Sequence, residues 1–213
     1  MYWREGEGLL DISIVLIVIV VILVLFLVTT YNRLVTLRQR VKEAWSDIDI
    51  QLKRRHDLIP NLIETVKGYA AHERGTFEAV TNARAQAVAA GASGSPQQMA
   101  QAENVLTGAL RSLFAVAENY PQLRAVETFK ALQEELTATE DKIEFARRYY
   151  NSSVRDYNIA LQSFPRNLIA GAFHFQPAAF FEAEPGDREV PQVSFGGPDT
   201  PPAPPDGSAP PAS

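Results

Sequence analysis

A chain of 213 residues with a net charge of −5, both signs mixed along its length and no cysteine, bounds what this protein can be. Without the basic block that follows a phosphate backbone, nucleic acid is not an expected partner. The lack of cysteine excludes disulfides, thiolate metal sites and cysteine nucleophiles.

Residues 12–28 hold sixteen aliphatic or aromatic side chains and one serine, Ser13, and after them no charge appears until Arg33. A helix of that length, rising about 1.5 Å per residue, matches a hydrocarbon core of about 30 Å. At about −0.3 to −0.6 kcal/mol per apolar residue, insertion is favourable by several kcal/mol. A transmembrane helix is expected over 12–31, with Ile12, Leu16, Ile19, Leu23, Phe26 and Val28 in the membrane span. Its flank of Arg4, Glu5, Glu7 and Asp11 is net acidic, and Val28-Thr29-Thr30-Tyr31 is a poor cleavage site, so the segment reads as an uncleaved anchor. Arg33, Arg38, Arg40 and Lys42 follow the span and only Arg4 precedes it. The positive-inside rule then puts residues 1–11 outside and the C-terminal domain in the cytoplasm of a bacterial inner membrane.

The anchor passes without a turn signal into a long helix. Leu34, Leu37, Val41, Trp45, Ile48, Leu52, Ile59, Leu62, Val66 and Tyr69 recur at spacings of three and four, with Arg55 the one polar residue in register. Such a repeat makes a coiled-coil-like seam. Pro60 removes a backbone bond to the carbonyl of His56 and is expected to kink the helix there without ending it. Gly68 and Gly75 bracket the first reversal.

A short helix is expected over 76–90, with Phe77, Val80, Arg84 and Ala87 on one face. Gly91 to Pro96 is the next loop, with Ser95 as N-cap and Pro96 at the first helical position. The helix that follows carries Ala102, Leu106, Ala109, Leu113, Val116 and Tyr120 and closes at Tyr120-Pro121. The last long helix holds its seam from Phe129 through Leu136, Ile143, Tyr150 and Tyr157 until Phe164-Pro165 stops it. An aromatic patch follows, with Phe173, Phe175, Phe180 and Phe181. Residues 183–213 are rich in proline and acidic, a composition expected to be disordered.

These elements predict an all-α protein: an N-terminal transmembrane helix continuing into an antiparallel up-down four-helix bundle domain over 32–182, with long first and last helices. A three-helix layout, with the first helix unbroken to Ala90, is the alternative. In the four-helix layout the short helices cover only the distal half. Residues 34–50 and 148–164 are left without cover from their own chain, a surface that invites a partner, most simply a second copy. Trp45, Asp47, Asp49, Arg54, Arg147, Arg148, Asn151, Arg155 and Asn158 lie there as candidate subunit or helix interface residues, with carboxylate–arginine pairs fixing register. Asn151 and Asn158, one heptad apart, suggest a second, polar seam.

No chemistry-bearing constellation emerges. His56, His72 and His174 are isolated, and Lys53, Tyr69 and Gly171 stand three residues before them, so the Glu-x-x-His pattern of di-iron bundles is absent. The histidines read as solvated or capping groups. No phosphate-binding glycine loop and no Gly-x-Ser-x-Gly elbow occurs. No catalytic, metal or cofactor residue is assigned.

Several runs resemble the LemA family of bacterial membrane proteins. They include Arg40-Val41-Lys42-Glu43-Ala44-Trp45-Ser46-Asp47-Ile48-Asp49, then Gln51 to Leu62 with Asp57-Leu58-Ile59-Pro60-Asn61-Leu62. Ala117-Glu118-Asn119-Tyr120-Pro121 and Arg147-Arg148-Tyr149-Tyr150-Asn151 with Val154-Arg155-Asp156-Tyr157-Asn158 add to the likeness. The resemblance spans about residues 10–182. It implies one membrane helix and a helical domain, and carries over no active site. The leading expectation is a non-enzymatic scaffold that self-assembles at the membrane, with the lipid bilayer, its own copies and other membrane proteins as partners. The alternatives are a signalling or quality-control adaptor docking partners through Phe173, Phe175, Phe180, Phe181 and the tail, and a hydrolase with dispersed active-site residues.

Overall fold

A computed structural model describes residues 4–92 and 94–182, with side chains from residue 13 onward. The expected tail over 183–213 and the side chain of Ile12 lie outside the described residues. Six helices follow one another, and no strand occurs among the described residues: α1 (Arg4–Lys67), α2 (Arg74–Ala92), α3 (Pro96–Glu118), α4 (Pro121–Arg124), α5 (Glu127–Gln162) and α6 (Arg166–Ala172).

α1 is a single helix of 64 residues that carries the apolar run into the folded domain. Ile14 to Val28 stay exposed, and among the described residues burial begins at Thr30 and Leu34. This is the one helix among the described residues long and apolar enough to cross a membrane. At the end of the apolar run the Thr29 hydroxyl donates back to the carbonyls of Leu25 and Phe26, so it needs no water there.

The turn after α1 lies between Gly68 and Gly75, where the amides of Tyr69 and Ala70 fold back onto the Val66 carbonyl. This reversal removes the three-helix layout. Ser95 caps α3 as expected: its backbone is extended (φ −92, ψ 113) and its hydroxyl accepts from the Gln98 amide, with Pro96 next.

α1 and α5 run antiparallel, as the Arg54–Glu135 ion pair distally and the Trp45–Tyr150 ring contact proximally require. α2 and α3 form a shorter hairpin against the distal part of that pair. Two cores result. The distal one gathers Ile59, Leu62, Val66, Val80, Leu106, Leu113, Leu123, Phe129 and Leu136 from α1 to α5. The proximal one joins Leu34, Val41, Ile48 and Leu52 to Ile143, Tyr150, Val154 and Leu161, and also takes in Ile169, Ala170, Phe175 and Phe181.

That last set corrects one expectation. The membrane-proximal part of the α1/α5 pair is covered on one side by its own chain, because the segment after α5 turns back at residues 163–165, forms α6, and returns along α5 as an extended strap over 175–181. An aromatic run too short for another long helix buries its apolar surface by lying flat on the seam that α2 and α3 do not reach.

Pro60 sits inside α1 without ending it. Its missing N–H leaves the His56 carbonyl without the usual helical donor, and Arg84 from α2 supplies the bond instead, Nε to carbonyl oxygen at 2.7 Å. The lesion left by proline thus becomes a fixed contact between α1 and α2.

Candidate functional site

Two constellations stand out, one at the strap and one between the cores. Along the strap, α5 presents Tyr150, Asn151, Tyr157 and Asn158 as a ladder. Asn158 accepts from the Ala178 amide (2.9 Å) and donates to the Ala178 carbonyl (2.9 Å). Asn151 does the same for Phe181, accepting at 2.9 Å and donating at 3.2 Å. The phenols donate to the carbonyls between and beside them, Tyr157 to Gln176 (3.0 Å) and Tyr150 to Ala179 (2.8 Å). The register has a simple origin: seven helical residues rise about 10.5 Å, and three extended residues span about 10 Å. Asparagines one heptad apart on α5 therefore meet backbone groups three residues apart on the strap.

Side chains close the groove. Phe181 is 1% exposed, with Trp45 edge-on at 5.8 Å and the Arg147 guanidinium over its ring at 5.2 Å. Arg38 lies over Phe175 at 5.0 Å. Burial raises both phenols above their ordinary pKa, with Arg38 acting in the opposite sense at Tyr157, so both keep the proton they donate.

The second constellation is a layer of buried charge where the two cores meet. Arg55, in register with the seam of α1, is 2% exposed and pairs with Glu103 of α3 and Glu140 of α5, and donates to the Thr107 hydroxyl as well. His56 Nε2 lies 2.8 Å from the other Glu103 oxygen. An ionised carboxylate only accepts, so Nε2 carries the proton. Burial alone would raise the Glu103 carboxyl, but the hydrogen bond from His56 and the charges of Arg55 and His56 outweigh it and hold it below the ordinary carboxylate value. The expectation that His56 is a solvated or capping histidine is thereby corrected. It is buried because position 56 turns toward α2 and α3, a direction the α1 repeat by itself did not reveal. Among the described residues no group of three or more His, Asp or Glu is placed to hold a metal ion.

The expected interface residues divide. Trp45, Arg147, Asn151 and Asn158 contact the strap. Arg54 pairs with Glu135 across α1 and α5, and Arg148 with Glu144 one turn away. Asp47, Asp49 and Arg155 are exposed, and no ion pair among the described residues joins either aspartate to an arginine. Asp47 and Asp49 therefore make no such register pair among the described residues, whereas Arg54–Glu135 is a carboxylate–arginine pair that joins α1 to α5, beside the amide–backbone pairing to the strap. The patch expected to dock a partner is also largely spoken for: Phe175 and Phe181 are buried in the proximal core and Phe180 is half-buried against it, leaving Phe173 exposed.

The opposite side of the α1/α5 pair is uncovered among the described residues. Asp47 and Tyr149 each lie two residues from a strap contact, Trp45 and Asn151, and so about 200° around their helices. There Asp47, Gln51, Lys142, Phe145 and Tyr149 line an open cleft of about 360 Å³. Phe145 is 67% exposed, and Gln51 Oε1 is buried without a hydrogen bond.

The LemA family model matches residues 44–195, more than half of the chain. Among similar proteins, magnetosome protein MamQ 2 of Paramagnetospirillum magneticum is 29% identical across 77% of this chain and 69% of its own length. Magnetosome protein MamQ of Magnetospirillum gryphiswaldense is 27% identical across 78% and 71%. Protein LemA of Metamycoplasma hominis is 25% identical across 74% and 71%.

Proposed function

The chain belongs to the LemA family, and from that premise we propose that it is a non-enzymatic scaffold whose copies associate side by side in a bacterial inner membrane, with the helical domain in the cytoplasm. It is a membrane-associated helical protein. The observation that carries the scaffold reading is the bare face of the α1/α5 pair. One side of this pair is sealed by α2, α3 and the strap, while the other exposes Phe145 and Tyr149 beside the cleft at Asp47 and Gln51.

Anchoring favours a second copy as the occupant of that face. α1 is one continuous helix from the apolar run to Lys67, so copies in the same membrane carry the face at the same height. Confinement to a surface also raises the effective concentration of copies. The polar groups that the fold draws together, Arg55, His56, Glu103 and Glu140, are engaged with one another, which favours a structural role over catalysis. The relatives' names are not names of reactions.

Single-cysteine variants test the reading, because the chain has no cysteine of its own. Phe145→Cys and Tyr149→Cys are expected to form disulfide-linked dimers in native membranes, and Arg155→Cys much less. Monomeric particles by single-molecule photobleaching, with no enrichment of the cross-link at residues 145 and 149, refute it.

A further inference from the structure

We propose that α6 and its flanks form a second membrane contact, in which Phe164, Leu168 and Phe173 lie in the interfacial layer of the same bilayer that α1 crosses. These three large apolar side chains are 80%, 64% and 58% exposed, whereas their neighbours Ile169 and Ala170 are buried in the proximal core. The segment is therefore two-sided, one side packed on the domain and the other apolar and open.

Its height relative to the bilayer follows from α1. Residues 12–31, the uncharged run expected to cross the membrane, span about 30 Å of helix, the thickness of the hydrocarbon core. Tyr31 is the last residue of that span and so stands where the hydrocarbon core meets the headgroup layer. Phe173 packs against the Tyr31 ring at 4.9 Å and Phe175 at 5.8 Å. The exposed face of 164–173 thus continues from the lipid-facing surface of α1.

The chemistry fits that position. Aromatic rings are favoured at the membrane–water boundary, and Arg33 on α1 and Arg166 at the start of α6 are exposed close to it, suited to lipid phosphates. A short amphipathic segment binds a bilayer weakly by itself. Joined to a transmembrane helix a few ångströms away, it pays little further entropy to stay there. The consequence is mechanical: a second contact beside the α1 exit point restricts the tilt of the domain over the membrane. The inference does not rest on self-association and applies to a single copy.

The test uses the full chain in vesicles of phosphatidylcholine and phosphatidylglycerol, at fewer than one protein per vesicle on average. Bimane is attached at Leu168→Cys or Phe164→Cys, with Phe145→Cys as the control in the bare cleft. Lipids carrying a nitroxide near the headgroup are expected to quench the probes at 168 and 164 at least about twofold more than the probe at 145, while aqueous iodide shows the reverse order, as interfacial burial requires. Equal lipid quenching at all three positions overturns the proposal. So does shielding of 168 from iodide without lipid quenching, which would assign that face to protein. Because all three positions are exposed, a folding defect does not confound the comparison.

Discussion

Removing the Arg84 guanidinium tests whether the chain repairs the lesion left by Pro60. Arg84 Nε donates to the carbonyl of His56, the acceptor that Pro60 deprives of its helical partner. A hydrogen bond from a charged donor contributes about 1.5 to 3 kcal/mol, and the acceptor here sits beside a buried histidine where water is scarce. Arg84→Ala alone is therefore expected to destabilise the domain by about 2 kcal/mol, close to a thirtyfold shift in the unfolding equilibrium. Pro60→Ala returns an N–H to position 60 and offers the same carbonyl an ordinary helical donor. In that background Arg84→Ala should cost only about 0.5 kcal/mol, the scale of a surface truncation. The coupling energy is then about 1.5 kcal/mol, well outside the additivity expected of independent sites. Urea unfolding of the full chain in nanodiscs, followed by circular dichroism and by Trp45 fluorescence in a Trp3→Phe background, measures all four corners of the cycle. Agreement of the two probes licenses a two-state treatment. Additive costs, within about 0.3 kcal/mol, would show that the arginine does not serve the carbonyl that proline leaves open.

Loss of either strap asparagine should free residues 175–181 without unfolding the rest. Asn158→Ala removes two hydrogen bonds of about 1 kcal/mol each, so amide exchange at Ala178 should quicken about tenfold or more while exchange in α2 and α3 is unchanged. If the Ala178 rate does not move, the ladder is not what holds the strap. Phe181→Ala opens a cavity at a side chain 1% exposed and should cost about 3 to 5 kcal/mol. Thermal unfolding measures it, and a cost below about 1 kcal/mol would place that ring outside the core. Acid dependence follows from Glu103, whose folded carboxyl titrates below its ordinary value of 4.5. Its stabilisation is complete above that value and is lost as pH falls through the lower, folded one. Glu103→Gln should thus lower stability at neutral pH by about 3 to 5 kcal/mol, since it leaves Arg55 buried with only half-exposed Glu140 as a carboxylate partner. It should also flatten the decline between about pH 4.5 and lower values. Urea titrations across that window that decline as steeply as the wild type would assign the acid sensitivity to other carboxylates.

What the sequence determined by itself is what short-range physics encodes. The uncharged run before Arg33, the three-and-four spacing along α1 and α5, the glycines around residue 70 and the Ser95-Pro96 cap each name a local structure, and each recurs in the fold. Repeats of this kind state which face of a helix is apolar. They do not state what lies on it. Tertiary structure alone decided that Phe175 and Phe181 fold back onto α5, because an extended strap carries no helical period and its backbone partners are asparagines twenty to thirty residues away. The matching rises of seven helical and three extended residues could have signalled it, but only once the strap was known to be extended. Burial of His56 was equally out of reach: Glu103 and Arg84, which give it and its carbonyl their partners, come from helices whose rotation about their own axes no spacing within α1 specifies. The same limit applied to Asp47 and Asp49. Their spacing from the seam placed them beside it, and only the packed pair showed Asp47 on the uncovered side with Gln51 and Phe145.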